Sequence, residues 1–461
     1  MNRGVRHLAL ATGIFFTVLI LYVTYIQAVA GERLYLNPLN PRLQAVEKET
    51  IRGTIYDRDG RVLARTVEIA GRLQRQYPFG PAAAQVVGYV SSRFGSSGLE
   101  AVRDGDLLGL TGWQRLSNMG RRLAGQVARG NNLYLTLDVE LQKLATSLLA
   151  GRRGAVVALD PRSGAVLVLA SSPTFDPNRL EEEWQRINST AAGSPLLNRA
   201  IQGLYPPGSI MKLVTATAAL EADPSLWQRD FYCPGYLEVE GWKLTCPRPH
   251  GHLTFEEAMM YSCNVTFAAL ALETGGDKFK ETATLYGFNR LLEFELPVAT
   301  SRIPEGLDTA NLGEGAIGQG AVLATPLEMA MVAAAIANKG ILMQPYLVEK
   351  VTAADGRPLW GAVPRVLQVV SGGEVAVRIK DAMVATVNGG TATAAGLAGV
   401  PVAAKTGSAQ NPVGEAHAWL VAFAPASEPR VAVAVIVENA GAGGAVAAPI
   451  AREILAAALR R

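Results

Sequence analysis

The sequence predicts an α+β or three-layer α/β fold whose main sheet is closed late by the C-terminus, preceded by a smaller mixed region and one membrane-spanning helix. Two nearly continuous apolar runs, Ala155 to Asp160 and Ala165 to Ser171, flank the turn Pro161-Arg162-Ser163-Gly164 and read as a hairpin covered on both faces. Three more such runs, Val400 to Lys405, Ala418 to Ala424 and Val431 to Val437, stand near the other end, with Pro449 to Leu459 as a closing helix. Residues 200–395 between the two groups are mostly of helical pattern, so five strands from distant segments enclose a helical middle.

From the N-terminus, Leu8 to Ala30 form a stretch of 23 residues without a charge. At 1.5 Å per residue it makes about 34 Å of helix, enough for a bilayer core of about 30 Å. Arg3 and Arg6 precede it, which puts residues 1–7 in the cytoplasm and everything after the span outside. A signal peptide cleaved after Ala28-Val29-Ala30 is the alternative, but the run is longer than the roughly 7 to 15 apolar residues of such peptides. A buried core helix is weakened by the terminal position and the lack of a polar face.

Residues 31–150 form a compact region rich in Arg and Gly. In it, Thr50 to Tyr56 reads as a strand, Asp57-Arg58-Asp59-Gly60 as a turn and Arg61 to Ala64 as the return strand. Arg129-Gly130-Asn131-Asn132 marks a boundary, followed by a short strand over Leu133 to Leu137 and a helix over Asp138 to Leu149 capped by Asp138. Residues 151–461 make the larger domain.

Composition narrows the function. An apolar share of 49% with 18% charged residues excludes a disordered or collagen-like chain. The net charge of +3 gives no reason to expect nucleic acid as a partner. Three cysteines are too few to build a scaffold of disulfides, so the fold stands on its core.

Three short motifs carry the chemistry. Tyr205-Pro206-Pro207-Gly208 precedes Ser209-Ile210-Met211-Lys212, and the turn starts a helix near Ser209 that sets Lys212 on the same face. A serine hydroxyl needs a base to attack at neutral pH, and a desolvated lysine with a lowered pKa can be that base. Alone, Ser209 could be only an N-cap and Lys212 an exposed lysine. Ser262-Cys263-Asn264 follows a helix opened by the capping box Thr254 to Glu257, and Lys405-Thr406-Gly407-Ser408 ends the first of the C-terminal strands. Each pattern occurs once, in that order, which makes a common site the better reading.

With these motifs the sequence resembles the penicilloyl serine transferases, and more closely a class B penicillin-binding protein, a monofunctional peptidoglycan D,D-transpeptidase. Further segments that resemble the family are Arg52-Gly53, Gly98-Leu99-Glu100, Asn198-Arg199-Ala200, Gly318-Gln319-Gly320, Thr325-Pro326-Leu327, Gly390-Thr391-Ala392 and His417-Ala418-Trp419. The resemblance implies a mostly antiparallel five-stranded sheet flanked by helices, with a helical subdomain and a pedestal-type N-terminal domain. It implies Ser209 as nucleophile and Lys212 as base, with an oxyanion hole from the backbone N–H groups of Ser209 and Ser408. Ser262 would relay a proton between Lys212 or Lys405 and nitrogen, and Asn264 would hold a substrate amide. Lys405 and Thr406, with Gly407 and Ser408 beside them, would bind the terminal carboxylate. The implied ligands are stem peptides ending in D-Ala-D-Ala, and β-lactams as their mimics. A polytopic glycan polymerase is the implied partner in the cytoplasmic membrane, and no metal or other cofactor is expected.

Several alternatives stand beside that reading. A Ser-His-Asp hydrolase is poorly served by four histidines and no Gly-x-Ser-x-Gly elbow. A β-lactamase or a D,D-carboxypeptidase shares the motifs, yet no Glu-x-x-x-Asn segment lies between Ser262 and Lys405 to supply a deacylating base. A β-lactam sensor would carry signalling segments, and a non-catalytic scaffold would not need the three motifs intact. Outside the cell, Cys233 and Cys246 are expected to form a disulfide, with zinc held by Cys233, Cys246, His250 and His252 as the alternative. Cys263 reads as a small buried filler.

Overall fold

The computed structural model describes residues 3–26, 46, 49–411 and 413–461. Helix α1 (Arg3–Tyr25) is, among these, the one helix long and apolar enough to cross a membrane, with a mean hydropathy of 2.0 and no residue buried in the protein. It begins before the expected Leu8, and residues 27–30 of the expected span lie outside the described residues, as do 31–45, 47 and 48 of the N-terminal region.

The N-terminal region contributes, in chain order, β1 (Thr50–Ile51), β2 (Ile55–Tyr56), β3 (Val62–Ile69), β4 (Arg72–Gln76), helix α2 (Gly112–Leu123), β5 (Ala128–Arg129), β6 (Asn132–Leu135) and helix α3 (Val139–Leu148). The expected strand Thr50 to Tyr56 is thus two strands. β1 runs parallel to β5, whereas β2 pairs antiparallel with β3 and parallel with β6. The break has a physical cause in Arg52, which is buried between them. Its Nε donates to Glu100 Oε2 at 2.6 Å, and Arg75 Nε donates to the other oxygen of that fully buried carboxylate at 2.7 Å. Asp104 completes the cluster by pairing with Arg52. A buried carboxylate is tolerated only when its lone pairs are matched, and here two guanidinium groups match them. The hairpin turn fell where expected: Asp57 Oδ1 accepts from the N–H groups of Asp59 and Arg61 at 2.9 and 2.8 Å. Asp138 caps α3 by accepting from Glu140 N and Leu141 N.

The larger part supplies β7 (Gly154–Leu159), β8 (Val166–Ser172), α4 (Lys212–Ala222), α5 (Phe255–Met260), α6 (Asn264–Thr274), α7 (Pro326–Ala337), β9 (Val348–Thr352), β10 (Pro358–Gly361), β11 (Ala403–Ala409), β12 (His417–Ala424), β13 (Val431–Val437) and α8 (Gly443–Leu459). The main sheet has the order β8-β7-β13-β12-β11, and every neighbouring pair is antiparallel. All residues of β7, β8 and β13 are buried, as their uninterrupted apolar runs require. Alternate side chains serve two cores. Val156, Ala158, Leu420, Val433 and Val435 pack with Ile450, Ile454 and Leu455 of α8, while Val157, Val421, Phe423, Ala434 and Ile436 pack with the core that holds α7 and α4. Helix α7 is buried at all twelve positions, and α4 from Lys212 through Leu220. The result is a three-layer arrangement with a central helix behind the sheet.

Three boundaries differ from expectation. β9 and β10 extend the N-terminal sheet, whose order is β10-β9-β6-β2-β3-β4, so strands from both sides of residue 150 share it. β11 starts at Ala403 rather than Val400 and runs through the Lys-Thr-Gly motif instead of ending there. Pro401, which has no N–H to give, stands just before it. Helix α8 begins at Gly443 and contains Pro449 rather than starting with it. Its apolar side lies on the sheet, which offsets the hydrogen bond that proline removes.

Candidate active site

The three motifs meet at the end of α4. Gly208–Met211 form a 3-10 turn that runs directly into α4 at Lys212. In 3-10 geometry residues three apart eclipse one another, so Ser209 and Lys212 share a side of the chain. The turn is pinned by backbone contacts: Gly208 N donates to Gly318 O at 2.8 Å and Trp419 Nε1 donates to Pro206 O at 3.0 Å. Gly407 must be glycine because a Cβ there would stand 2.9 Å from Pro207 O, so the serine turn could not lie against β11.

Lys212 is fully buried, and its Nζ donates to Ser262 O at 2.7 Å, to Asn264 Oδ1 at 2.7 Å and toward Ser262 Oγ at 3.2 Å. Lys405, also fully buried, reaches the same hydroxyl from β11, with Nζ 2.8 Å from Ser262 Oγ. One serine oxygen therefore stands between two lysine amines. Ser262 adopts a left-handed backbone, φ +58°, and both its carbonyl and its hydroxyl are within reach of Lys212. A non-glycine residue held there costs about 1–3 kcal/mol, a cost found mostly where function fixes the conformation. Burial lowers the pKa of Lys212 to about 7, despite some opposing effect from Cys263 and Cys246. Burial also pulls Lys405 well below the usual lysine range, and the nearby Lys212 adds to the effect. An amine that is largely neutral above about pH 7 thus stands in the first turn of α4, three residues after Ser209.

Around this centre, Asn264 Nδ2 donates to Thr245 O at 3.0 Å, and Thr406 Oγ1 donates to Thr391 Oγ1 at 2.7 Å. Ser408 is exposed, and its Oγ accepts from Gly443 N at 3.3 Å. β11 is an end strand of the main sheet, so alternate backbone N–H and C=O groups point away from β12, where an extended peptide can meet them. Ser209, Lys212, Ser262, Asn264, Lys405, Thr406, Gly407 and Ser408 are therefore brought to one locality. Sequence reasoning missed the Ser262 carbonyl, which no side-chain pattern signals. Trp419, named from sequence within a family-like segment, holds the serine turn through its indole.

The cysteines differ from expectation. Cys233, Cys246 and Cys263 are free thiols, and the Cys246 sulfur stands 3.7 Å from each of the other two. His250 joins them, with Nδ1 3.5 Å from Cys233 Sγ, so one ligand atom from each of the four lies within 4.8 Å of the rest. His252 is elsewhere, paired with Asp230. Cys263 is thus part of the cluster and not merely filler. Its hydrogen bond to Cys246 and its burial raise its own pKa, whereas Cys246 is lowered chiefly by that same bond. Cys246 Sγ also accepts from Asn264 N at 3.1 Å, which ties the cluster to the second motif. Three sulfurs and an imidazole are a donor set for tetrahedral zinc. Protein prepared without chelator is expected to hold about one zinc per chain, and Cys246→Ser to lose it. Metal-free protein on elemental analysis, whether its thiols titrate free or oxidised, would contradict this.

Comparison with known proteins agrees with the geometry. Residues 154–456 match the model of the penicillin binding protein transpeptidase domain, and residues 52–133 that of the penicillin binding protein A dimerisation domain. The peptidoglycan D,D-transpeptidase PbpA of Mycolicibacterium smegmatis is 37% identical, with 100% of this chain and 99% of the relative covered. The peptidoglycan D,D-transpeptidase MrdA of Escherichia coli is 32% identical over 84% of this chain and 72% of its own. Among solved structures, the ceftriaxone acyl-enzyme complex of penicillin-binding protein A from M. tuberculosis superposes with a TM-score of 0.85 at 34% identity. That alignment covers 90% of this chain and 100% of the other.

Proposed function

The chain belongs to the class B penicillin-binding proteins, the monofunctional peptidoglycan D,D-transpeptidases, and from that premise we propose how its own residues carry the reaction. The observation that supports the assignment is the single hydroxyl of Ser262 between the buried amines of Lys212 and Lys405, beside the turn that carries Ser209.

Ser209 Oγ attacks the carbonyl carbon of the penultimate D-alanine of a stem peptide, and its proton passes to the neutral Nζ of Lys212. Backbone N–H groups of Ser209 and Ser408 hold the oxyanion. As the peptide C–N bond breaks, the leaving nitrogen takes a proton by way of Ser262, D-alanine departs and an ester on Ser209 remains. The amine of a second stem peptide then attacks that ester, gives up its proton along the same route and frees Ser209. Asn264 orients the donor amide. Lys405 and Thr406, with Ser408, take the terminal carboxylate, and the carboxylate of a β-lactam occupies the same place.

In this reading residues 1–7 are cytoplasmic, residues 8–30 hold the chain in the membrane, residues 31–150 form a pedestal and residues 151–461 carry the chemistry outside the cell. A polytopic glycan polymerase in the same membrane supplies the strands to be joined. The test is the mass of the intact protein after exposure to penicillin. One adduct per chain is expected, mapped to the peptide containing Ser209 and persisting for many minutes. Loss within seconds would point to a hydrolase instead.

A further inference from the structure

The N-terminal region carries a surface that the reaction does not use. Helix α2 (Gly112–Leu123) is amphipathic in the inverted sense. Its polar side chains face the protein: Asn118 is only 2% exposed, donates to Gly109 O and Arg129 O at 3.1 and 2.9 Å, and accepts from Arg129 N at 3.1 Å. Gln114, one turn earlier, is buried beside it and donates to Arg129 O at 3.4 Å. Its apolar side chains face away, with Leu116, Met119 and Leu123 exposed by 57, 60 and 85%. At about 100° per residue these three fall within about 60° of one another, on the side opposite Gln114 and Asn118. A helix docked through amides that leaves leucines and a methionine bare has, among the described residues, its apolar stripe unpartnered.

Charge and position indicate what covers the stripe. From Leu107 to Leu137 the sequence contains Arg115, Arg121, Arg122 and Arg129 and no acidic residue. Arg122 Nη2 donates to Thr50 Oγ1 at 3.3 Å, so α2 touches the chain where it arrives from α1. The 24 residues between Tyr25 and Thr50 reach at most about 85 Å when fully extended, so α2 is tethered within that distance of a bilayer that holds α1. Leucine and methionine flanked by arginine suit the boundary between acyl chains and phosphate, and tethering makes the contact effectively intramolecular. We propose that α2 lies in the outer-leaflet interface of an anionic bilayer, with Leu116, Met119 and Leu123 among the acyl chains and Arg115 and Arg122, which flank Met119 on the helix, toward lipid phosphate. This rests on the reading of α1 as a membrane anchor. The second attachment fixes the tilt of the N-terminal sheet, and with it the orientation of the domain that sheet shares through β9 and β10.

The full chain is reconstituted into phosphatidylcholine vesicles with and without roughly a third of phosphatidylglycerol, with a solvent-sensitive fluorescent amino acid at position 119 or, as a reference, at exposed position 413. In the anionic vesicles, iodide is expected to quench the probe at 119 at least about fivefold less than the probe at 413. Leu116→Asp combined with Leu123→Asp should abolish the difference while penicillin labelling, which reports the fold, persists. Flotation of the vesicles separates the two readings: a chain that fails to float overturns the anchor and this proposal together. A chain that floats with position 119 as open to iodide as position 413 overturns the proposal alone. Protection that arises only when a polytopic polymerase is added overturns it in favour of a protein partner.

Discussion

Ser209→Ala is expected to abolish covalent labelling by penicillin and to lower release of D-alanine from a donor peptide by about a thousandfold or more. The side chain stands on the 3-10 turn before α4, in a turn held by the backbone bond from Gly208 to Gly318 and by the Trp419 indole on Pro206. None of these contacts uses the serine hydroxyl, so alanine leaves the turn and its neighbours in place. The variant should therefore melt within a few degrees of the parent and keep Lys212, Ser262 and Lys405 arranged as they are. Labelling that survives in a folded Ser209→Ala protein would mean that another nucleophile forms the ester, and the role given to the first motif would be lost.

Much of this site could be read from sequence because its parts sit on strong local signals. Pro206-Pro207-Gly208 forces a turn, and the helix formers after Lys212 make α4. The uninterrupted apolar runs of β7, β8 and β13 state that both faces of the sheet are covered, and they are. What escaped has no local signature. Lys405-Thr406-Gly407-Ser408 reads as the end of a strand because its residues are polar and small, yet β11 continues through it. Lys405 faces Ser262, Thr406 and Ser408 bond on the other side to Thr391 and Gly443, and the glycine admits the serine turn. The pairing of β9 with β6 joins residues more than 200 apart, a register set only by the finished fold. The thiol cluster gathers Cys263 because Ser262 turns left-handed just before it, and single-residue backbone reversals outside glycine are not visible in composition.

Replacing the base separates chemistry from folding. Lys212→Met keeps the length and nearly the volume of a fully buried side chain, and it removes the amine that faces Ser262 and Asn264. The Ser262 carbonyl and the Asn264 amide oxygen each lose a donor, worth about 1–3 kcal/mol if nothing replaces it. Against that loss, the variant no longer buries an amine that ionises in the unfolded chain. The pKa of Lys212 falls from 10.5 to about 7 on folding, so between those values the unfolded state binds the extra proton and stability rises with pH. The methionine variant should lack that rise and remain folded at pH 7. Its acylation by penicillin is nevertheless expected to be slower by about 10²- to 10⁴-fold, the usual contribution of a positioned general base. The wild-type rate should fall about tenfold per pH unit below about 7, where Lys212 is protonated, and level off above it. Lys405 reaches Ser262 from β11, whereas Lys212 stands on the helix that directly continues the turn carrying Ser209. Stopped-flow acylation of both proteins across pH decides the matter. A methionine variant within tenfold of wild type, or one that keeps the inflection near pH 7, would take the proton away from Lys212 and assign it to the Ser262–Lys405 pair.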